Sequence, residues 1–172
     1  MFREMRRKRQ QLSPERCREI LERCTSGVLA LSGDGGYPYA VPVSYVYDGT
    51  GKLFFHSAKT GHKVDAIRHW DLASFCVVDL DQVIPEKYTT YFRSVIAFGR
   101  IRVLENDAEK YEAIDLLARK YAPADSAENR KAAIDREWKP LCMLELTIER
   151  LTGKEAVELV RQREQSEQEE TQ

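Results

Sequence analysis

The chain has 172 residues, enough for one domain with a full hydrophobic core rather than two small ones. Lysine and arginine total 27 against 28 aspartate and glutamate, so a net charge of −1 gives no reason to expect nucleic acid as a partner. No apolar run approaches the roughly 20 residues of a membrane-spanning helix, and no signal core follows the basic start, so a cytoplasmic protein without membrane contact is expected.

Residues 1–11 carry Arg3, Arg6, Arg7, Lys8 and Arg9 against Glu4 and read as a flexible basic arm. Ser13-Pro14-Glu15-Arg16 then opens a helix, with serine at the cap, proline in the first turn and acid behind it. Cys17, Ile20, Leu21 and Cys24 give it an apolar face, and it should end near Thr25-Ser26-Gly27. Val28 to Leu31 is a short strand, followed by the turn cluster Gly33-Asp34-Gly35-Gly36. Tyr37 to Tyr47 is rich in aromatic and β-branched residues. Its Pro42 marks a bulge or an unpaired edge, where free backbone groups could face a heteroaromatic ring. Asp48-Gly49-Thr50-Gly51 connects it to a hairpin partner, Lys52 to Ser57.

A helix is expected from Thr60 to Trp70, with Val64, Ile67 and Trp70 inward. Strands follow at Phe75 to Leu80 and Val95 to Leu104. The polar, aromatic loop Glu86 to Phe92 between them is expected to shape access of a small-molecule substrate. Tyr111, Ile114, Leu117 and Ala118 recur at helical spacing, and a polar break at residues 123–126 precedes a second helix that stops near Trp138 and Pro140. Leu141 to Leu151 is a last strand, and residues 161–172 read as a disordered polar tail. One folded domain over 12–160 remains. It is mainly β (α+β), a barrel of about six antiparallel strands with flanking helices, closed by the strand that returns after the helical excursion.

The chemistry concentrates in Phe55-His56-Ser57-Ala58-Lys59-Thr60-Gly61-His62-Lys63, a strand that runs straight into a helix start. Such a start leaves backbone N–H groups free and carries partial positive charge, which suits a phosphate. Ser57 and Thr60 add hydroxyls, Gly61 lets the backbone come close, and Lys59, Lys63 and His62 add charge. The spacing is not that of a nucleoside-triphosphate loop. The competing reading is a plain helix cap with solvated lysines. His56 is a candidate catalytic residue, a donor to a cofactor or substrate atom, or else simply a partner of nearby backbone. His56, His62 and His69 are spaced six and seven apart with no cysteine beside them, so no metal site is expected. Cys17, Cys24, Cys76 and Cys142 form no C-x-x-C pair and read as free thiols.

Four ordered segments carry a resemblance: V-P-V-S-Y-V-Y-D-G, L-F-F-H-S-A-K-T-G-H-K, Y-F-R-S-V-I-A-F-G-R-I-R-V-L and L-T-G-K-E. Together, over about residues 12–160, they resemble the pyridoxamine 5′-phosphate oxidase-like superfamily, and within it the nitroimidazole-resistance (Nim) type of flavin nucleotide-binding protein. The resemblance implies a split β-barrel homodimer with flavin mononucleotide (FMN) at the two-fold interface. It implies that the flavin ring rests on Val41, Pro42, Val43, Ser44 and Tyr45. The phosphate would be gripped within Phe55 to Lys63, by His56, Ser57, Ala58, Gly61, His62 and Lys63. Arg93, Ser94 and Val95, with Trp138, would complete the site from the other subunit; Trp138 could instead cap the core under the excursion. The arginine-rich C-terminal substrate motif of pyridoxamine-phosphate oxidase proper is missing, which speaks against vitamin B6 oxidation. The implied function is an FMN-dependent oxidoreductase reducing small electrophilic compounds such as nitroaromatics, fed by a nicotinamide or protein electron donor. The alternatives are a flavin-binding or sensing protein without turnover, or a barrel that uses the deazaflavin F420 or haem.

Overall fold

The structure is a computed structural model and describes residues 2–169. Helix α1 spans Pro14–Arg23, and the Ser13 side chain accepts a hydrogen bond from the Arg16 N–H at its start. Strands β1 (Ser26–Ser32), β2 (Pro38–Ser44), β3 (Val46–Tyr47) and β4 (Lys52–Ala58) follow, then α2 (His62–His69). Next come β5 (Leu72–Ile84), β6 (Thr89–Val103), α3 (Asp107–Tyr121), α4 (Ala127–Glu137), β7 (Leu141–Glu155) and α5 (Val157–Glu169).

Among the described residues the seven strands form one antiparallel sheet in the order β2-β1-β5-β6-β7-β4-β3. The two outermost strands, β2 and β3, are consecutive in sequence, and Tyr45 is the single residue between them. One residue cannot cross an open sheet of seven strands, each about 4.8 Å from the next. The sheet therefore curls until its edges meet, and the pleat sends alternate residues into the enclosed core. Leu29, Leu31, Tyr45, Leu53, Phe55, Phe75, Val77, Val95, Ala97, Ile101, Leu144 and Leu146 fill it, capped by Cys17, Ile20 and Leu21 of α1 and Val64 and Ile67 of α2.

Two bulges bend the long strands. Register slips between Val78 and Leu80 on β5, leaving Asp79 as the extra residue, and at Phe98/Gly99 against β7, leaving Glu149 unpaired. Gly99 is required there, because a Cβ would stand 1.9 Å from the Thr147 carbonyl oxygen. A smaller cluster of Leu104, Ala113, Leu141 and Met143, with Phe54, Ile114 and Trp138 packed on it, seats the excursion helices on the outside of β4 and β7.

Several sequence expectations are corrected. Trp70 is not inward: α2 stops at His69, the chain turns extended at Trp70, and its ring is 53% exposed. The Glu86–Phe92 loop is mostly strand, because β-branched Thr89 and Thr90 and aromatic Tyr91 and Phe92 continue β6. Only a tight turn at Pro85–Lys87, closed by Tyr88 in a left-handed conformation, joins the hairpin. Residues 161–169 of the expected tail lie in α5, which packs through buried Val160; Arg9 of the arm pairs with Glu164 on it at 2.7 Å. The arm itself is seated from Lys8 onward, with Gln10 buried and Gln11 bridged to Lys154.

Candidate functional site

Strand β4 delivers the central residues by alternation. Leu53 and Phe55 point into the core, while His56 and Ala58 are exposed and Ser57 is half-buried. Phe55 is fully buried against Phe75, ring centroids 5.1 Å apart, so it fixes the strand and offers a ligand no side-chain surface. His56 lies opposite Met143 on β7. After Ala58 the chain turns through Lys59 and Thr60 to Gly61, whose φ of 120° is a conformation open to glycine. Gly61 caps α2 with no side-chain bond, and the first amide bonds of the helix are those of Val64 and Asp65 to the Gly61 carbonyl. The N–H groups of His62 and Lys63 therefore stand without intrahelical acceptors and face outward at the positive end of the helix dipole.

Lys63 is half-buried, and burial pushes its ammonium below the ordinary lysine range, offset in part by the nearby Cys142 thiol. It pairs with no carboxylate among the described residues. His62 stacks on Tyr39 of β2, centroids 4.1 Å apart at 22°, with its Nε2 3.6 Å from Asp34. That stack ties the start of α2 to β2.

Strand β2 is hydrogen-bonded into the sheet along one side, to β1, consistent with Pro42 in its middle. Val41 and Val43 lean on the core and Pro42 faces outward. Tyr45 is fully buried; its hydroxyl donates to the Leu21 carbonyl at 2.8 Å, so only its backbone lies at the edge. Ser44 is half-buried beside it.

Beyond His56, Ser57 and Ala58 opens a cleft of about 600 Å³, whose other walls are α3 and α4. Ile114, Ala118, Ala133, Ile134 and Leu141 make it largely apolar, and Arg130 on its wall is held by Asp115 at 2.6 Å. The sequence shows Ile114 and Ala118 only as part of a helical spacing and does not announce this cleft. The legible signal was a run of small residues, Ala118 and Ala122 on one helix and Ala133 on the next, which leaves helices short of full contact.

Arg93, Ser94 and Val95 lie elsewhere. Arg93 pairs with Glu155 across the β6–β7 ladder, 12 residues along β7 from Met143 opposite His56 (155 − 143). Its guanidinium bridges the Asp79 and Glu155 carboxylates at 3.1 and 3.3 Å. Val95 is core and Ser94 half-buried. Trp138 packs against Tyr111, with Lys110 Nζ 3.9 Å over its ring. Within one chain the structure brings His56, Ser57, Ala58, Gly61, His62 and Lys63 together and keeps Arg93 to Val95 apart from them.

An antiparallel sheet closed on itself, capped by α1 and α2 and flanked by the excursion helices, defines the class: this is a split β-barrel. The chain belongs to the pyridoxamine 5′-phosphate oxidase family, which matches residues 13–155. Among solved structures it is similar to a proposed 5-nitroimidazole antibiotic resistance protein from Bacteroides thetaiotaomicron, at 18% identity and TM-score 0.69, over 84% of this chain and 85% of that one. It is also similar to a FAD and haem binding protein from Mycobacterium smegmatis (23%, TM-score 0.70, 86% and 73%). A FAD-binding protein from Mesorhizobium loti aligns at 25% identity and TM-score 0.57, over 86% and 97%. No curated protein matches the chain. Among the described residues, no helix is long and apolar enough to cross a membrane.

Proposed function

We propose that the protein binds a flavin, FMN in the first instance, and works as an oxidoreductase on small electrophilic compounds. The observation that carries this is the uncapped start of α2: free amides at His62 and Lys63 and a half-buried Lys63, unpaired among the described residues, follow directly on β4, which ends with the half-buried Ser57 and the exposed Ala58. This donor set fits a phosphate monoester. The ring would lie along the β2 edge, over Val41 to Ser44 and the Tyr45 backbone, with Tyr39 and His62 linking ring and phosphate ends. A bound flavin supplies the electron transfer. His56 would direct a ring N–H toward the ligand from the cleft mouth, and the apolar cleft would exclude water from it.

A homodimer is part of the same reading. Val28, Pro42, Cys76 and Ile96 stand in one outward row across β2, β1, β5 and β6, and Ala30, Ala40, Ser74 and Phe98 in the next. These two rows carry no charge, and Val78 nearby is 61% exposed. An uncharged sheet face of this kind suits a second copy of the chain. Across it, Arg93, Ser94 and Trp138 of one copy would complete the site of the other, whereas the Val95 side chain stays in the core of its own barrel.

Titration of FMN into the protein, read by quenching of flavin fluorescence, tests the binding. Turnover of a nitroimidazole with NADH or NADPH then separates an enzyme from a flavin-binding or sensing protein. Absence of FMN binding would overturn the reading. A second reading, haem, is favoured by one observation: the exposed His56 imidazole stands at the wall of the apolar cleft. A Soret band lost in His56→Ala would support it.

A further inference from the structure

Many cationic side chains are held in ion pairs, but several that are not gather behind the β4–α2 turn. Lys59, Arg68 and Lys110 line a second, smaller pocket of about 230 Å³, with Leu104 and Cys142 at its base. Among the described residues none of the three forms an ion pair. Lys110 is 6% exposed; its Nζ is held only by the Trp138 carbonyl at 3.3 Å and the Trp138 ring. Burial lowers its proton affinity and the charge of Lys59 lowers it further, while Asp107 and Cys142 offset part of that. Glu105 and Asp107 line the same pocket without bonding to the three cations.

The three cations repel one another, Glu105 and Asp107 offset that repulsion only in part, and Lys110 keeps little exposed surface. An anion seated among the three cations would complete the compensation. Lys63 and the start of α2 belong to the phosphate site already described; these three cations lie beyond it, reached from the same turn through Lys59. We propose that this pocket is a second phosphate subsite, built to take one phosphate more than FMN carries. The flanking Glu105 and Asp107 carboxylates suit the sugar hydroxyls that accompany a nucleotide phosphate. The extra phosphate comes from one of two sources, a dinucleotide flavin such as FAD or the 2′-phosphate of NADPH. Only the first source rests on the flavin reading.

The test is calorimetric titration of the full chain and of a Lys59→Gln/Arg68→Gln variant with two pairs of ligands, FAD against FMN and NADPH against NADH. Both substituted residues are exposed, so the fold is retained, and matching thermal melts check it. The wild type should prefer the member with the additional phosphate by about tenfold or more in one pair, the effect of losing one or two charge-assisted bonds. The variant should lose that preference, read as the ratio of FAD to FMN or of NADPH to NADH affinity, so that any loss at the FMN phosphate through Lys59 is shared by both members of a pair and cancels. The pair in which this happens names the source. No preference in either pair, or a preference that survives the substitutions, overturns the subsite. Failure of both flavins to bind overturns the flavin reading instead, and the NADPH–NADH pair then decides the subsite by itself.

Discussion

The Lys120 ammonium lies 4.3 Å over the Tyr45 ring, so the last turn of α3 grips the one residue that joins the two edges of the sheet. Lys120 Nζ also donates to the Cys24 carbonyl at 2.5 Å, capping the end of α1. Tyr121, next in sequence, donates its hydroxyl to the Thr25 carbonyl and accepts from the Tyr45 N–H at 3.1 Å. Barrel closure and placement of the excursion thus share one set of bonds. Removing the hydroxyl in Tyr121→Phe should destabilise the protein by about 1–2 kcal/mol. A shift of the urea midpoint with unchanged slope is the expected signature; an unmoved midpoint would discount the latch.

A second prediction concerns Glu155, whose carboxylate is 1% exposed and faces Arg93, Arg163 and Arg16 at 3.3, 3.2 and 3.7 Å. These arginines come from β6, α5 and α1, so a single buried acid ties three elements to the end of β7. Glu155→Ala leaves cations without their counter-charge, and a loss of about 3–5 kcal/mol is expected in denaturant unfolding. Glu164→Ala, on the exposed Arg9 pair, should cost almost nothing by the same measurement.

Asp79 gives the fold an acid sensitivity. Burial alone would raise its carboxyl, but the hydrogen bonds and charge of Arg23, joined by Arg93 and Cys24, outweigh that and hold it below its ordinary value near 3.8. A folded-state value below the unfolded one means that this stabilisation is fully present above about pH 4 and is lost as pH falls through the folded value. Stability measured by urea unfolding should therefore drop on acidification below pH 4, by less in Asp79→Asn than in wild type. Equal acid slopes in the two proteins would assign the effect elsewhere, with Glu145 beside Arg102 and Lys52 the next carboxylate to examine.

Local signals made much of this architecture legible. Ser13-Pro14 set the start of α1, Asp48-Gly49-Thr50-Gly51 set the β3–β4 hairpin, and Pro42 marked β2 as an edge. The strand-to-helix run from Phe55 to Lys63 needed nothing beyond neighbours in sequence. Long-range features were hidden. Nothing local announces that Asp79 is a bulge aimed at Arg23 and Arg93, because the bulge exists only against β6. The β5–β6 hairpin was cut short for a related reason: exposed Asp81 and Gln82 interrupt the apolar pattern although cross-strand pairing continues to Ile84. The cleft and the Lys59–Arg68–Lys110 pocket each need α3 to be placed on β4 and β7, which periodicity alone does not provide.

The uncharged outer face makes a prediction about assembly. Val28 and Val78 are exposed in the single chain, so charge placed there meets only water unless a second copy covers it. Val28→Asp with Val78→Asp should leave thermal stability of the isolated chain within about 0.5 kcal/mol of wild type. In a dimer the same carboxylates would be buried opposite each other, and sedimentation should show a monomer. A wild-type protein that sediments as a monomer while binding flavin would remove the shared-site part of the reading.

The phosphate grip can be separated from the ring site by choice of ligand. Riboflavin carries the same ring as FMN without the phosphate, so a residue acting only on the phosphate discriminates between the two. Lys63→Ala removes the unpaired ammonium near the start of α2 and should weaken FMN by about 1–3 kcal/mol while leaving riboflavin unchanged. Gly61→Ala reaches the same site by another route. A Cβ at Gly61 meets nothing within 4 Å, so its effect comes through the φ of 120° alone. Forcing an L-residue there strains the cap by about 1–3 kcal/mol or turns it, and the free amides of His62 and Lys63 turn with it. Both variants should therefore lose FMN affinity selectively, read by fluorescence titration of the two flavins side by side. Equal losses for FMN and riboflavin would place these residues under the ring, and no loss for either would take the phosphate away from α2.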